Sequence, residues 1–241
     1  MAILTGAGVS AESGLGTFRG KEGIWNKMRP EELASMAGFM ANPELVWEWY
    51  SYRRSVLAEA KPNAAHIALA EWQRHMNDFT LITQNVDGLH QVAGSRDVLE
   101  LHGNIRVNRC LKCGQETTDD LLHQPIGIPR CPCGGSYRPG VVWFGEMLPE
   151  DILTAAFHAA ESCDLFLTIG TSAVVYPAAS LPEIALENGA HVIEINLEPT
   201  QFSPRATVSI HEPAGAAVTA LFLEWKRLRA AQQSADAQDR T

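Results

Sequence analysis

Apolar positions along this chain fall into two alternating patterns. Short, nearly unbroken apolar runs occur at Ala2-Ile3-Leu4, Phe79 to Thr83, Val98 to Leu101, Asp164 to Ile169 and His191 to Ile195. Their length and composition predict strands buried on both faces. Longer amphipathic stretches separate them. Asn42 followed by Pro43 is an N-cap and first-turn signal, so Glu44 to Ala60 predicts a helix that stops before Pro62. Asn63 caps a second helix reaching about His75, with Ala64, Ile67, Ala68 and Ala70 as its contacts. Further helices are predicted over Glu150 to Glu161, about Pro177 to Glu187, and roughly Ala216 to Ala230. A polar, disordered tail is expected from there to Thr241. Strands alternating with helices mean an α/β fold, a Rossmann-like parallel sheet covered by helices on both faces.

In such sheets ligands bind beyond the carboxyl ends of the strands. The predicted ends carry Thr5-Gly6, Thr83-Gln84-Asn85, Leu101-His102, Gly170-Thr171-Ser172 and Asn196-Leu197-Glu198. Each delivers a glycine or a compact polar side chain to one rim, which suggests a single extended polar ligand. Gly6, Gly8 and Ala11 also fit the G-x-G-x-x-G/A turn, where a helix N-terminus offers free N–H groups to a pyrophosphate. The acidic partner expected about 20 residues on is missing. Thr17-Phe18-Arg19-Gly20-Lys21-Glu22-Gly23 stands there instead, a loop inserted where a second strand would begin.

Composition changes between Arg109 and Pro139, where cysteine, glycine and proline crowd together and periodicity vanishes. Cys110-x-x-Cys113 and Cys131-x-Cys133 supply two close thiolate pairs, a closed tetrahedral set for one structural Zn2+. The single residue between the second pair is tighter than the usual two. The expected organisation is a dinucleotide-binding domain over 1–41, 77–108 and 139–230, with 42–76 as a helical insertion belonging to a smaller domain. A zinc module over 109–138 and a tail over 231–241 complete it. The 28 acidic and 19 basic residues give a net charge of −9, which argues against nonspecific nucleic-acid binding. No apolar run is long enough to span a bilayer and no signal peptide opens the chain. With cysteines clustered for a metal, a cytoplasmic, monomeric protein is expected.

His102 is the candidate general base, placed on the rim beside Gln84-Asn85-x-Asp87. His66, His75, His90 and His158 fall within predicted helices and are expected to be ordinary packed or solvated histidines. Arg19 could pair with phosphate or with Asp87. Trp143-Phe144-Gly145-Glu146 is an extended aromatic segment suited to core packing or to pairing with a peptide strand. Cys163 is expected to behave as a small buried hydrophobe.

These motifs, in this order, resemble the sirtuins, the NAD-dependent protein lysine deacylases, from Ile3 to about Leu223. The resemblance rests on Gly6-Ala7-Gly8-Val9-Ser10 with Ser13-Gly14 and Thr17-Phe18-Arg19, and on Gln84-Asn85-Val86-Asp87 and Leu101-His102-Gly103. It extends to the four cysteines, Val142 to Glu146, Gly170-Thr171-Ser172 and Asn196-Leu197-Glu198. Gly16 departs from the family, many of whose members have proline there.

The resemblance implies NAD+ as co-substrate along the rim. Its pyrophosphate would lie at Gly6, Ala7, Gly8, Gly170, Thr171 and Ser172, and its adenosine end at Asn196, Leu197, Glu198 and Ala214. Glu12, Thr17, Phe18, Arg19, Trp25, Gln84 and Val86 would also line the cofactor site, with Phe18, Asn85 and Asp87 around nicotinamide. An acylated lysine, in an extended peptide held by Val142, Trp143, Phe144, Gly145 and Glu146, would displace nicotinamide, and His102 would act on the ribose hydroxyls to yield O-acyl-ADP-ribose. Tyr50 and Arg53, three apart on one helix face, resemble the Tyr-x-x-Arg pair of the desuccinylase branch, which implies succinyl- and malonyl-lysine among the substrates. Two alternatives stand beside this reading: NAD-dependent ADP-ribosyl transfer to protein, and a non-enzymatic NAD or ADP-ribose sensor.

Overall fold

The apolar run at the start of the chain forms β1 (Ala2–Thr5), all four residues of which are buried. Ile3 packs into the core on one side of the sheet, while Ala2 and Leu4 pack into the core on the other, as a strand covered on both faces must. The structure, a computed structural model, describes residues 1–18, 24, 29–118 and 128–238, with side chains to 235.

A 3-10 helix over Ala7–Ser13 follows β1. Two short helices come next, α1 (Pro30–Leu33) and α2 (Met36–Ala41), then α3 (Pro43–Glu59) and α4 (Ala64–Arg74). Asn42 caps α3 by accepting the Leu45 N–H, and Asn63 caps α4, as their positions before the apolar periodicity predict. The chain continues through β2 (Thr80–Thr83), α5 (Leu89–Val92) and β3 (Leu99–Glu100). Three strands of a second sheet follow: β4 (Gly103–Cys110), β5 (Glu116–Thr117) and β6 (Tyr137–Val141). The α/β alternation then resumes with α6 (Glu150–Ser162), β7 (Leu165–Ile169), α7 (Leu181–Glu187), β8 (His191–Ile195), β9 (Val208–Ile210) and α8 (Ala214–Gln238).

Among the described residues the larger sheet runs in the order β3-β2-β1-β7-β8-β9. Every neighbouring pair in it is parallel. The chain leaves β1 to build one half and returns at β7 to build the other, so the topological switch point lies between β1 and β7. Helices α4 and α8 cover one face and α6 and α7 the other. The smaller, antiparallel sheet has the order β5-β4-β6 and packs with α3 on a third core containing Trp47, Trp49, Tyr50 and Trp143.

The structure differs from the sequence reading in three places, two of them with a clear physical cause. Strand β4 was not predicted, and it draws 103–108 into the smaller sheet, together with 139–141 of β6. Its polar Asn108 hides the pattern: the side chain is fully buried because Arg54 reaches across from α3 to donate to Oδ1 at 2.8 Å. Strand β9, α1 and α2 also fall where no element was expected. The expected disordered tail is instead helical through Gln238, since the Ala- and Gln-rich stretch after Ala230 has high helix propensity and no stop signal.

The tightest backbone approach in the larger sheet joins the switch point. Gly170 has φ +62°, and a Cβ there would lie 2.4 Å from the Val9 nitrogen. Gly170→Ala is therefore expected to destabilise the ligand-free protein by at least about 2 kcal/mol. That loss appears as a Tm lowered by about 4–8 °C in a thermal melt followed by circular dichroism.

Candidate active site

A cavity of about 890 Å3 opens at the switch point, along the carboxyl ends of the strands of the larger sheet. Its floor is the turn after β1. The glycines there are required by the meeting of two chain segments. Gly6 N–H donates to Ile169 O at 2.9 Å and Gly8 N–H to Gly170 O at 2.8 Å. A Cβ on Gly8 would stand 2.6 Å from the Gly170 Cα. This corrects the expectation of free N–H groups at a helix N-terminus: the turn leads into a 3-10 helix, and the carbonyls of Ile169, which ends β7, and of Gly170 just after it already occupy the Gly6 and Gly8 amides. Gln84 Nε2 donates to Thr171 Oγ1 at 2.9 Å, and Asn196 Nδ2 to Thr171 O at 3.3 Å, tying three strand ends together.

The far wall is held by two carboxylates. Glu12 Oε2 accepts the Gly215 N–H at 2.6 Å, which brings the start of α8 and Ala214 to the cavity. Glu194 is buried and receives the hydroxyls of Thr200, Ser203 and Ser209. These bonds fix the loop that carries Asn196, Leu197 and Glu198 into the lining.

His102 lies between the end of β3 and the start of β4. Its Nδ1 is 2.9 Å from the Gln84 carbonyl oxygen, which accepts a proton and so assigns Nδ1–H. Nε2 is then the unprotonated nitrogen on a ring that lines the cavity. Burial lowers the His102 pKa from its ordinary value, against an opposing pull from the Gln84 hydrogen bond, so the ring is neutral at pH 7.

Asn85 lines the cavity; Asp87 stands outside the lining, nearly buried. Ser10 Oγ donates to Asp87 Oδ2 at 2.8 Å and accepts from Asn85 Nδ2 at 3.1 Å, and Leu89 N–H donates to Asp87 Oδ1. His66 Nε2 lies 3.4 Å from Ser10 Oγ, and the His66 ring is 4.8 Å, centroid to centroid, from the tilted ring of His90, whose Nε2 is 2.9 Å from Thr5 Oγ1. His66 and His90 lie in helices as expected, and they also belong to this polar layer under Asn85. Sequence reasoning missed the layer; the only available signal was Ser10 within the glycine-rich motif.

Phe18, Thr17 and Val86 line the cavity, as do Gly6, Ala7, Glu12, Ser172 and Val142 to Glu146. Arg19 and Trp25 lie outside the described residues. Phe144 is 49% exposed, and its N–H donates to Ala34 O in a bridge between the 142–146 segment and Ser35. Trp143 is core: it is 2% exposed and packs against Phe39 and Tyr50. Tyr50 and Arg53 meet the same cavity from α3. The Arg53 guanidinium sits 4.7 Å from the Phe18 ring centroid and 5.0 Å from that of Trp49. Among the described residues it has no ion-pair partner.

The four cysteines converge at the end of the smaller sheet, with all Sγ atoms within 4.8 Å of one another. Cys110 and Cys133 Sγ lie 3.5 Å apart, and Cys113 and Cys131 Sγ 3.7 Å apart. A tetrahedral Zn–S4 centre has edges of about 3.8 Å, so the four sulfurs gather at spacings that suit one zinc ion. Cys163 is partly exposed and remote from them, behind β7.

A switch-point cavity with a neutral histidine, joined to a four-cysteine module, defines a nucleotide-site α/β protein with a structural zinc centre. The chain belongs to the Sir2 family, whose model matches residues 6–177. It is 53% identical over 212 residues to an NAD-dependent protein deacylase of Aquifex aeolicus, covering 88% of this chain and 89% of that protein. A Sir2 homologue–NAD complex superposes with a TM-score of 0.88 at 48% identity, covering 94% of this chain and 89% of that one. A Sir2–p53 peptide–NAD+ complex superposes with a TM-score of 0.82 at 33% identity, covering 93% and 92%.

Purified protein is expected to contain close to one zinc per chain by plasma mass spectrometry. Cys110→Ser should lower that content and the Tm together, whereas a variant that kept full stability without zinc would remove the metal's structural role.

Proposed function

We propose that this protein is an NAD-dependent protein-lysine deacylase that removes succinyl and malonyl groups from lysine side chains as well as acetyl groups. Its relatives named NAD-dependent protein deacylase support the general activity. The observation that carries the acyl preference is the pairing of Tyr50 and Arg53 in the cavity that also holds His102. A guanidinium with no carboxylate in direct ion-pair contact among the described residues, Asp87 acting on it only from farther off, and beside a phenol, is suited to receive a terminal carboxylate.

In this reading NAD+ would supply an electrophilic ribose carbon when bound; nicotinamide leaves, one water is consumed, and the acyl group ends on ADP-ribose with the lysine amine set free. The chain's residues do the rest. The glycine turn, by its lack of side chains, leaves room for the diphosphate region beside Thr171, and Asn196 and Glu198 hold the adenosine end. Asn85, steadied by Ser10 and Asp87, orients the nicotinamide end. Nε2 of His102 accepts the ribose hydroxyl proton, with its ring fixed by Gln84 O. The peptide lies extended against the 142–146 segment. ADP-ribosyl transfer to protein would use the same NAD cleavage with a different acceptor. Mass spectrometry separates the two: release of free lysine with O-acyl-ADP-ribose supports deacylation, and NAD-derived label on protein supports transfer.

His102 must be neutral to accept a proton, and its pKa is lowered from 6.5. The acid limb of kcat/KM should therefore have an apparent pKa below 6.5, with this limb flat above pH 7; a midpoint at or above 7 in the pH–rate profile would count against His102 as the base. His102→Ala should lose at least about 100-fold in kcat while still binding NAD+ by calorimetry.

Arg53→Met should lower kcat/KM for a succinyl-lysine peptide by about 100-fold, the cost of removing a charged hydrogen-bond partner, and affect an acetyl-lysine peptide far less. Equal losses on the two peptides would end the assignment of Arg53 to carboxylate recognition.

A further inference from the structure

Tyr50 sits at the end of a chain of buried contacts that begins at Arg138. Arg138 is almost fully buried in β6, and its guanidinium forms a two-pronged pair with Glu146 and also donates to Val141 O at 2.7 Å. The same guanidinium lies 3.5 Å from the ring centroid of Trp143. Glu146 Oε2 accepts the backbone N–H of Trp143 at 2.8 Å. The indole is thus held at its ring face and at its backbone, and its Nε1–H donates to Tyr50 Oη at 2.9 Å.

An indole N–H can only donate, and a phenol carries one proton. With Trp143 directed at its lone pair, Tyr50 must send its own proton elsewhere. Among the described residues Tyr50 Oη–H has no acceptor, although the residue is only 2% exposed and lines the cavity. Burial pushes the Tyr50 pKa up to about 12, so the proton stays in place across the working pH range. Arg53, on the next turn of α3, lies close enough for its charge to act on Tyr50.

We propose that Trp143 is a specificity-positioning residue: held by Arg138 and Glu146, its indole N–H sets Tyr50 Oη as a hydrogen-bond donor aimed, with Arg53, at a carboxylate on the acyl group. This assignment rests on the acyl preference proposed above and goes further, since it locates the selecting element in the 142–146 segment as well as in α3. An acetyl group offers no such acceptor, so the arrangement acts on the choice between acyl groups.

The test is Trp143→Phe, which keeps an aromatic ring and deletes the N–H. The ratio of succinyl to acetyl kcat/KM should fall about tenfold, with the loss lying in the KM for the succinyl peptide. In a Tyr50→Phe background the same substitution should leave the ratio where Tyr50→Phe placed it, because the bond it removes is already gone. An unchanged ratio in Trp143→Phe, or an undiminished further fall in the Tyr50→Phe background, overturns the proposal. Should Trp143→Phe fail to fold, Glu146→Gln keeps the indole but loosens its clamp; a ratio that falls in the same direction supports the proposal and one that holds overturns it. If Arg53→Met loses desuccinylation while Trp143→Phe keeps the ratio, only the role of Trp143 falls. A wild-type enzyme that leaves succinyl-lysine untouched ends both readings.

Discussion

The contact between two glycine-bearing turns governs this structure. Gly6 and Gly8, after β1, press against Gly170, after β7, so closely that no side chain fits on either partner. Two amide-to-carbonyl bonds close the contact. Strands β1 and β7 are sequence-distant neighbours at the centre of the sheet, and this contact sets how far apart their ends can spread. The remaining strand ends take their spacing from that centre, through Gln84 and Asn196, both bonded to Thr171. A cavity at the switch point follows from topology; its narrow floor follows from three residues without Cβ atoms.

Around that floor the protein uses buried polar groups as braces. Glu12 anchors α8, Glu194 gathers three hydroxyls under the loop that carries Asn196 to Glu198, and Asp87 with Ser10 supports Asn85. Glu12 and Asp87 take donors from segments distant in sequence, and Glu194 from the loop and strand that follow it, so each carboxylate braces the site without extra apolar bulk. The Arg138–Glu146 pair acts in the same way for the 142–146 segment, with the Trp143 ring against the guanidinium.

Much of this was legible in the sequence because it depends on local chemistry. The buried strands show as short apolar runs, the caps Asn42 and Asn63 mark α3 and α4, and the cysteine spacing marks a tetrahedral metal set. His102 stood out because a strand end places it on the rim. What stayed hidden depends on partners far along the chain. Asn108 has the polarity of a loop residue until Arg54 arrives from α3 to satisfy it, so β4 was missed and the boundary of the smaller unit was misplaced. Ser10, His66 and His90 have nothing in their sequence neighbours that foretells a shared layer with Asp87. The glycines of the first turn suggested a phosphate cradle, but their closest constraint is a second glycine beyond 150 residues of intervening chain.

The place of His102 has a consequence for how the two halves of the molecule can work together. The residue lies on the short link between Glu100, which ends β3 of the parallel sheet, and Gly103, which opens β4 of the antiparallel one. Its ring is tethered to Gln84 O on the first side, and its own carbonyl accepts the Val142 N–H on the second. The histidine is therefore a rivet through both plates. The residue is thereby held to the parallel sheet through its ring and to the antiparallel sheet through its backbone, so neither sheet can shift without pulling on it.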